Sequence, residues 1–268
     1  MIFAVHYSKL DDSALHNISK QLSGKLKESS KFQSTDLPKV LSICFQSIQQ
    51  SHPHARCILL TDRETPDPGL KNVEMIRYDL NPKEPVSSRL KALIRYLESI
   101  NEKTPVVFSD YDMIFQKNIE NLFEKSFDIA FTYRKGETEE RSTDQEYYPY
   151  PINAGLFLIH PDGRQQALDF LKAVERFFEK NYPDYKVWSG EQISINQFIG
   201  AKNIHQSYPN PIHIGKTTIL LFPAAEYNYT VGGSAFLLDY QPNKTILHFK
   251  GPRKQLMLEY WQTFYEPN

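Results

Sequence analysis

Residues 106–115 read VVFSDYDMIF. Four residues suited to a buried strand run into Asp110, Tyr111 and Asp112, and the chain then turns apolar again at Met113, Ile114 and Phe115. Side chains alternate along an extended chain, so a continued strand aims Asp110 and Asp112 to one side and Tyr111 to the other. Two carboxylates held side by side are unfavourable unless a cation sits between them. The stretch therefore predicts a strand end that presents a cation site.

Outward from it, strand and helix signals alternate. IFAVHY (2–7) reads as a first strand, and RCILLTD (56–62) and VEMIRYDL (73–80) as a second and an edge-like third. LPKVLSICFQSIQQ (37–50) spaces Leu37, Val40, Leu41, Cys44, Phe45 and Ile48 as a helix does, with Thr35 or Asp36 to cap it. SSRLKALIRYLESI (87–100) is an amphipathic helix that leads into the strand TPVVFSDYD (104–112). Beyond it come the strands DIAFTY (128–133) and INAGLFLIH (152–160), a helix over 165–180, and a short helix over 189–200 with Ser189 as its cap. The apolar segments 217–229 and 244–261 close the chain. Such alternation predicts an α/β protein with a mostly parallel central sheet flanked by helices. No repeat or linker divides the chain, so residues 1–268 are expected to form a single domain. The polar, tyrosine-laden segment 134–151 is expected to form a lid, in which Tyr147, Tyr148 and Tyr150 are candidates to stack on a bound ligand.

Composition limits the partners. The 268 residues carry 31 Lys and Arg against 32 Asp and Glu, a net charge of −1, so no general attraction to nucleic acid or anionic membrane is expected. The two cysteines, Cys44 and Cys57, each lie in an apolar run and read as reduced core residues. No apolar run approaches the ~20 residues of a membrane span, and MIFAVHYSKLDDS has no basic segment ahead of an apolar one, which reads as a cytoplasmic protein. The sequon Asn228-Tyr229-Thr230 is then a chance tripeptide.

In an open parallel sheet the ligand sits beyond the carboxyl ends of the strands, where Asp110 and Asp112 fall. A haloacid-dehalogenase-type phosphatase also places an Asp-x-Asp there. It expects Thr or Val where Ile114 stands, the motif near the N-terminus, and a downstream Gly-Asp pair, which this chain lacks. Near the C-terminus stands LHFKGPRK (247–254), with His248, Gly251 and Lys254 in the order His-x-x-Gly-x-x-Lys. His with carboxylates suits a divalent metal such as manganese, Gly lets the backbone approach a phosphate, and Lys supplies a mobile charge for it.

Four blocks in order, FSDYDMIF (108–115), INAGLFLI (152–159), GEQISIN (190–196) and LHFKGPRK (247–254), resemble the GT-A glycosyltransferases that use nucleotide-diphosphosugars. The resemblance is greatest to the retaining branch that includes glycogenin and the bacterial lipopolysaccharide galactosyltransferases. It implies a Rossmann-like GT-A domain, a UDP-sugar donor, Mn2+ or Mg2+, a glycan or other hydroxyl acceptor, and a place in polysaccharide biosynthesis. Asp110, Asp112 and His248 match the metal ligands, Asp110 also the ribose contact, and Gly251 and Lys254 the diphosphate contacts. Asn153, Ala154 and Gly155 match the wall of the sugar pocket, and Glu191 and Gln192 the acid-Gln pair beside the anomeric carbon, with Asn196 at its offset; Gln192, Glu191 and Asn153 are the catalytic candidates. One base on the helix before the motif, Lys91 or Arg89, is expected to reach the donor, and His6 and Tyr7 stand where the fold holds the nucleobase. Asp62 is similarly placed. The chain departs from the pattern in having Glu191 for the usual Asp, and Gln255 and Leu256 for Pro-Trp. An inverting GT-A enzyme remains the alternative. A sugar nucleotidyltransferase would need a Gly-rich basic loop after the first strand, where HYSKLDDSALH stands.

Overall fold

A computed structural model describes residues 1–9, 37–134, 150–187, 189–231 and 238–266. The first strand, β1 (Ile2–His6), is followed by α1 (Leu37–Ser51), β2 (Arg56–Asp62), β3 (Val73–Tyr78), α2 (Pro85–Ser99), β4 (Val106–Ser109) and β5 (Met113–Phe115). Next come β6 (Ile129–Tyr133), β7 (Ile152–Ile159), α3 (Arg164–Asn181), α4 (Gly190–Ile199), α5 (Ala201–Ser207), β8 (Ile212–Ile214) and β9 (Thr217–Pro223). The short α6 (Ala224–Tyr227) and β10 (Tyr229–Thr230) precede β11 (Ile246–His248) and α7 (Lys254–Phe264).

Eight strands form one sheet in the order β3-β2-β1-β4-β7-β6-β9-β8, and β10-β11-β5 form a second, small sheet. The pairings from β3 through β4 are parallel, β7 runs antiparallel to both β4 and β6, and β6 is parallel to β9. The α/β expectation holds, with β3 at the edge. Both faces of the large sheet are covered, as the continuous apolar runs require. Ile2 and Ala4 belong to one core cluster with Leu90, Leu93 and Leu97 of α2, Leu171 and Val174 of α3, and Ile195 of α4. Phe3 and Val5 point the other way, into Val40, Leu41 and Phe45 of α1 and Met257, Tyr260 and Trp261 of α7. Among the described residues no helix is long and apolar enough to cross a membrane, and both cysteines are buried and free.

The strand expected over 104–112 is shorter. It ends at Ser109, and Asp110–Asp112 turn the chain out of the large sheet into β5 of the small one. The last contact of this run with β7 is the Asp110 amide donating to the Gly155 carbonyl at 2.8 Å, and the next is the Phe249 amide donating to the Asp112 carbonyl at 2.8 Å. The acids thus sit at the junction of two sheets. Ser189 precedes α4 as expected but does not cap it: its φ of 62° is left-handed and its hydroxyl makes no capping bond. Thr35, Asp36, Tyr147 and Tyr148, with most of the expected lid, lie outside the described residues.

One ion cluster ties the helices to the chain around α4. Glu179 of α3 accepts from Ser87 (3.0 Å) and Lys91 (2.8 Å) of α2 and pairs with Lys186 at 2.8 Å. The Val86 and Ser87 amides both donate to the Lys186 carbonyl. Burial works against the Glu179 charge, but the bonds from Lys186, Lys91 and Ser87 outweigh it and draw its carboxyl down to about 2. A depressed carboxyl stabilises the fold above its unfolded value, about 4.5, and loses that contribution as pH falls towards 2. Glu179→Gln is expected to cost about 1 kcal/mol at pH 6, allowing for solvent screening, with the gap to the parent closing between pH 4.5 and 2. Urea midpoints at the two ends of that range measure it; a gap that stayed constant would show that the charge contributes nothing.

Candidate functional site

The turn after β4, the start of β7, the first turn of α4 and the segment after β11 converge on a cavity of about 450 Å³. Gly155 makes the convergence possible. A Cβ there would lie 2.8 Å from the His248 ring, 2.9 Å from an Asp110 oxygen and 2.9 Å from the Met113 methyl. The start of β7 is pinned to α4 by Asn196, whose amide donates to the Ile152 carbonyl and accepts from the Ile152 amide.

Asp110, Asp112 and His248 bring one ligand atom each within 4.8 Å of one another. His248 Nε2 lies 3.1 Å from Asp112 Oδ1 and 3.5 Å from Asp110 Oδ2, yet neither contact is aligned as a hydrogen bond. The other ring nitrogen, Nδ1, is bonded to Asn228 Oδ1 at 2.7 Å. A buried ring nitrogen without a partner, facing two carboxylates, fits a divalent cation held by one nitrogen and two oxygens.

Protein cations already lean on these acids. Lys254 Nζ is 2.5 Å from Asp112 Oδ2, and Arg89 reaches Asp110 Oδ1 at 3.1 Å, Glu191 Oε2 at 2.5 Å and the Ala154 carbonyl at 3.0 Å. Burial opposes the Asp112 charge, but Lys254 beside it holds the carboxyl well below the usual range. Burial dominates at Asp110, whose carboxyl is raised despite Arg89. It also pushes Glu191 up to about 7, against the pull of Arg89.

Most of the candidates meet here. His6, Tyr7, Arg89, Asp110, Asp112, Asn153, Ala154, Gly155, Glu191, Gln192, His248, Gly251 and Lys254 all line the cavity. Gln192 accepts from the Ala154 amide at 3.3 Å, and Asn153 accepts from the Gly155 amide at 2.8 Å. Gly251 has a left-handed φ of 64° and open space where a Cβ would be. His6 is buried, which with the nearby Arg89 lowers its imidazole to about 3 and keeps it neutral.

Other expectations are corrected. Of the two candidate bases on α2, Arg89 faces the cavity and Lys91 does not. Lys91 pairs with Glu179 and lines a second cavity of about 500 Å³ with Arg95, Lys172 and Arg176, where four carboxylates balance four cations. Helical spacing carries that distinction: Lys91, Arg95 and Glu98 share one stripe, whereas Arg89 falls with Leu93 and Tyr96 on the buried face. Asp62 is not at the cavity. Its carboxylate accepts from the Glu64 and Thr65 amides and the Thr65 hydroxyl, holding the turn after β2. Tyr111 does not point away from the acids; it lines the same cavity, packs edge-on against Tyr7 and carries Lys254 5.3 Å above its ring. Asn228, first residue of the sequon, is 2% exposed with both ends of its amide engaged. Its place beside His248 was not visible in the sequence.

The sequence matches the family described as nucleotide-diphospho-sugar transferase over residues 94–248, more than half of the chain and a span that contains both acids and His248. No curated protein matches it. Among solved structures the chain is similar to the galactosyltransferase LgtC, in a complex with donor and acceptor sugar analogues, at 13% identity and a TM-score of 0.53, covering 100% of this chain and 98% of LgtC. It is also similar to the glycosyltransferase GlyE of Streptococcus pneumoniae TIGR4, at 13% identity and a TM-score of 0.55, covering 99% of this chain and 60% of GlyE. A third similar structure is a glycosyltransferase involved in the glycosylation of the major capsid of PBCV-1, at 12% identity and a TM-score of 0.50, covering 96% of this chain and 98% of that one. At such identities the likeness is one of fold, and with the family match it gives the conclusion that the chain belongs to the nucleotide-diphospho-sugar transferases and has the GT-A glycosyltransferase fold.

Proposed function

We propose that this glycosyltransferase is metal-dependent and moves a sugar from a UDP-sugar to a hydroxyl of a glycan acceptor with retention of configuration. The observation that carries the metal assignment is the buried, unpartnered Nε2 of His248 facing Asp110 and Asp112. On this reading Asp110, Asp112 and His248 hold Mn2+, with Mg2+ the alternative. When bound, the ion supplies the positive charge that the leaving diphosphate needs. Uridine as the base, and a role in polysaccharide biosynthesis, rest on the family resemblance.

The chain's own residues divide the rest of the work. Gly251 lets the backbone approach the diphosphate, and Lys254 exchanges its contact with Asp112 for the phosphate oxygens. Ala154, Gly155 and Asn153 wall the sugar, Gln192 stabilises the positive ring by its amide dipole, and His6 and Tyr7 bound the nucleoside end. Glu191 is engaged by Arg89, which fixes the orientation of its carboxyl beside the ring. Apart from it and the metal pair, no carboxylate lines the cavity among the described residues, and this favours retention over inversion. We assign residues 1–268 to one catalytic domain and place it in the cytoplasm, where Cys44 and Cys57 stay reduced.

Melting the protein with a panel of nucleotide sugars, with and without Mn2+, tests the reading: UDP-sugars are expected to stabilise it only with the metal. Asp112→Asn is expected to lower transfer more than the 10- to 100-fold typical of losing an outer partner of a metal site. Parent-like turnover by that variant after chelation would sink the metal assignment.

Lys254→Met is expected to act in two directions. Losing a charge-assisted phosphate contact of about 1.5–3 kcal/mol weakens donor binding roughly 10- to 150-fold, whereas freeing Asp112 strengthens Mn2+ binding in the absence of donor. Calorimetric titrations with each ligand separate the effects, and shifts of the same sign would refute the exchange.

Retention is read from the product. Proton NMR of the new linkage is expected to show the α configuration from an α-linked donor; a β product would make the enzyme inverting and recast Glu191 as the base.

A further inference from the structure

The geometry points to Asn228 and Thr132 as positioning residues that decide which nitrogen of His248 is left bare towards the two carboxylates. The inference rests on reading Asp110, Asp112 and His248 as a metal site, but it concerns atoms outside that set.

An imidazole can ligate through Nε2 only when its proton sits on Nδ1, and the group bonded to Nδ1 chooses between the two forms. That group is the side-chain amide of Asn228, 2.7 Å away. An amide offers an oxygen or an NH2, so it selects a tautomer only if something else fixes its sense. Thr132, fully buried on β6, does so. Its hydroxyl donates to the Asn153 carbonyl at 3.3 Å and accepts from Asn228 Nδ2 at 2.8 Å. With the hydroxyl proton spent on Asn153, the NH2 must face Thr132 and the amide oxygen must face the ring. Nδ1 then carries the proton, and Nε2 is left as an acceptor without a hydrogen-bond partner.

The backbone holds this chain of bonds in register. The Asn228 backbone N–H donates to the carbonyl of Ala224, the first residue of α6, and β10, which begins at Tyr229, pairs Thr230 with His248. The relay runs from the sugar-pocket strand through Thr132 and Asn228 to the ring. Neither relay residue lines the cavity itself.

The test reads the tautomer directly. In 15N-labelled, metal-free protein at pH 8, long-range 1H–15N correlation is expected to show His248 protonated on Nδ1. Thr132→Val keeps the side-chain shape but removes the hydroxyl, so the amide is free to turn and the proton is expected to shift, in part or wholly, to Nε2. Mn2+ binding, followed by electron paramagnetic resonance, is expected to weaken about 10- to 100-fold in Asn228→Ala. Asn228→Asp, which still accepts from Nδ1, is expected to keep the Nδ1–H form. If the parent bound no Mn2+ while the tautomer followed this pattern, the metal reading would fall and the role of the relay would stand. A ring protonated on Nε2 in the parent, or a proton that stays on Nδ1 in both Thr132→Val and Asn228→Ala, would overturn the proposal.

Discussion

Three carboxyl groups, those of the half-buried Asp110 and of the buried Asp112 and Glu191, share one pocket, and the fold around it depends on the cations that make this tolerable. Arg89 is the central one. Its guanidinium lies 4.6 Å from the Phe108 ring and 5.2 Å from the Phe157 ring, desolvated by β4 and β7, and bonds Glu191, the Ala154 carbonyl and, more loosely, Asp110. A planar cation with several donors can satisfy groups from three elements at once, which a lysine cannot. Removing it would leave two acids without their counter-charge in a low-dielectric site, a loss that usually exceeds the worth of the pair itself. The packing of α2 and α4 against the ends of β4 and β7 is organised by that charge balance.

The topology explains why the acids can be brought together at all. β7 enters between β4 and β6 against the direction of the parallel strands, so its first residues, Ile152–Gly155, lie beside the carboxyl end of β4. The strand then contributes a wall of small residues where a parallel neighbour would have contributed its far end. The small sheet, through β5 and β11, carries His248 to the same point from the other side. A glycine at 155 follows from this crowding, since three side chains would meet any Cβ there.

Much of this was legible beforehand, for identifiable reasons. The helices and the core strands showed because their apolar spacing survives in the sequence, and the acids, His248, Gly251 and Lys254 showed because few other residue types do their chemistry. The direction of β7 did not, because a strand buried on both faces has the same apolar run whether its neighbours are parallel or not. The end of β4 at Ser109 was hidden for a similar reason: Tyr111 and Met113–Phe115 are as strand-like as the residues before them, and the turn is set by what the acids must reach. Asn228 carried no local pattern, being one amide after a four-residue helix. Its partner Thr132 looked like any β-branched residue in a strand.

The inner pocket also bears on the order in which ligands bind. Three carboxyl groups face two close cations, Arg89 and Lys254, and both cations are already engaged by them, so the inner cluster offers a diphosphate no excess positive charge. On the proposed reading a divalent ion supplies that excess, and it also competes with Lys254 for Asp112. A lysine displaced from its carboxylate into the cavity is itself an anion site. The same event therefore supplies both charges the diphosphate meets. On that reading metal and donor binding are linked reciprocally, each raising the affinity for the other by the same factor, with Lys254, held by Asp112 at the edge of the cavity, as the group that couples them.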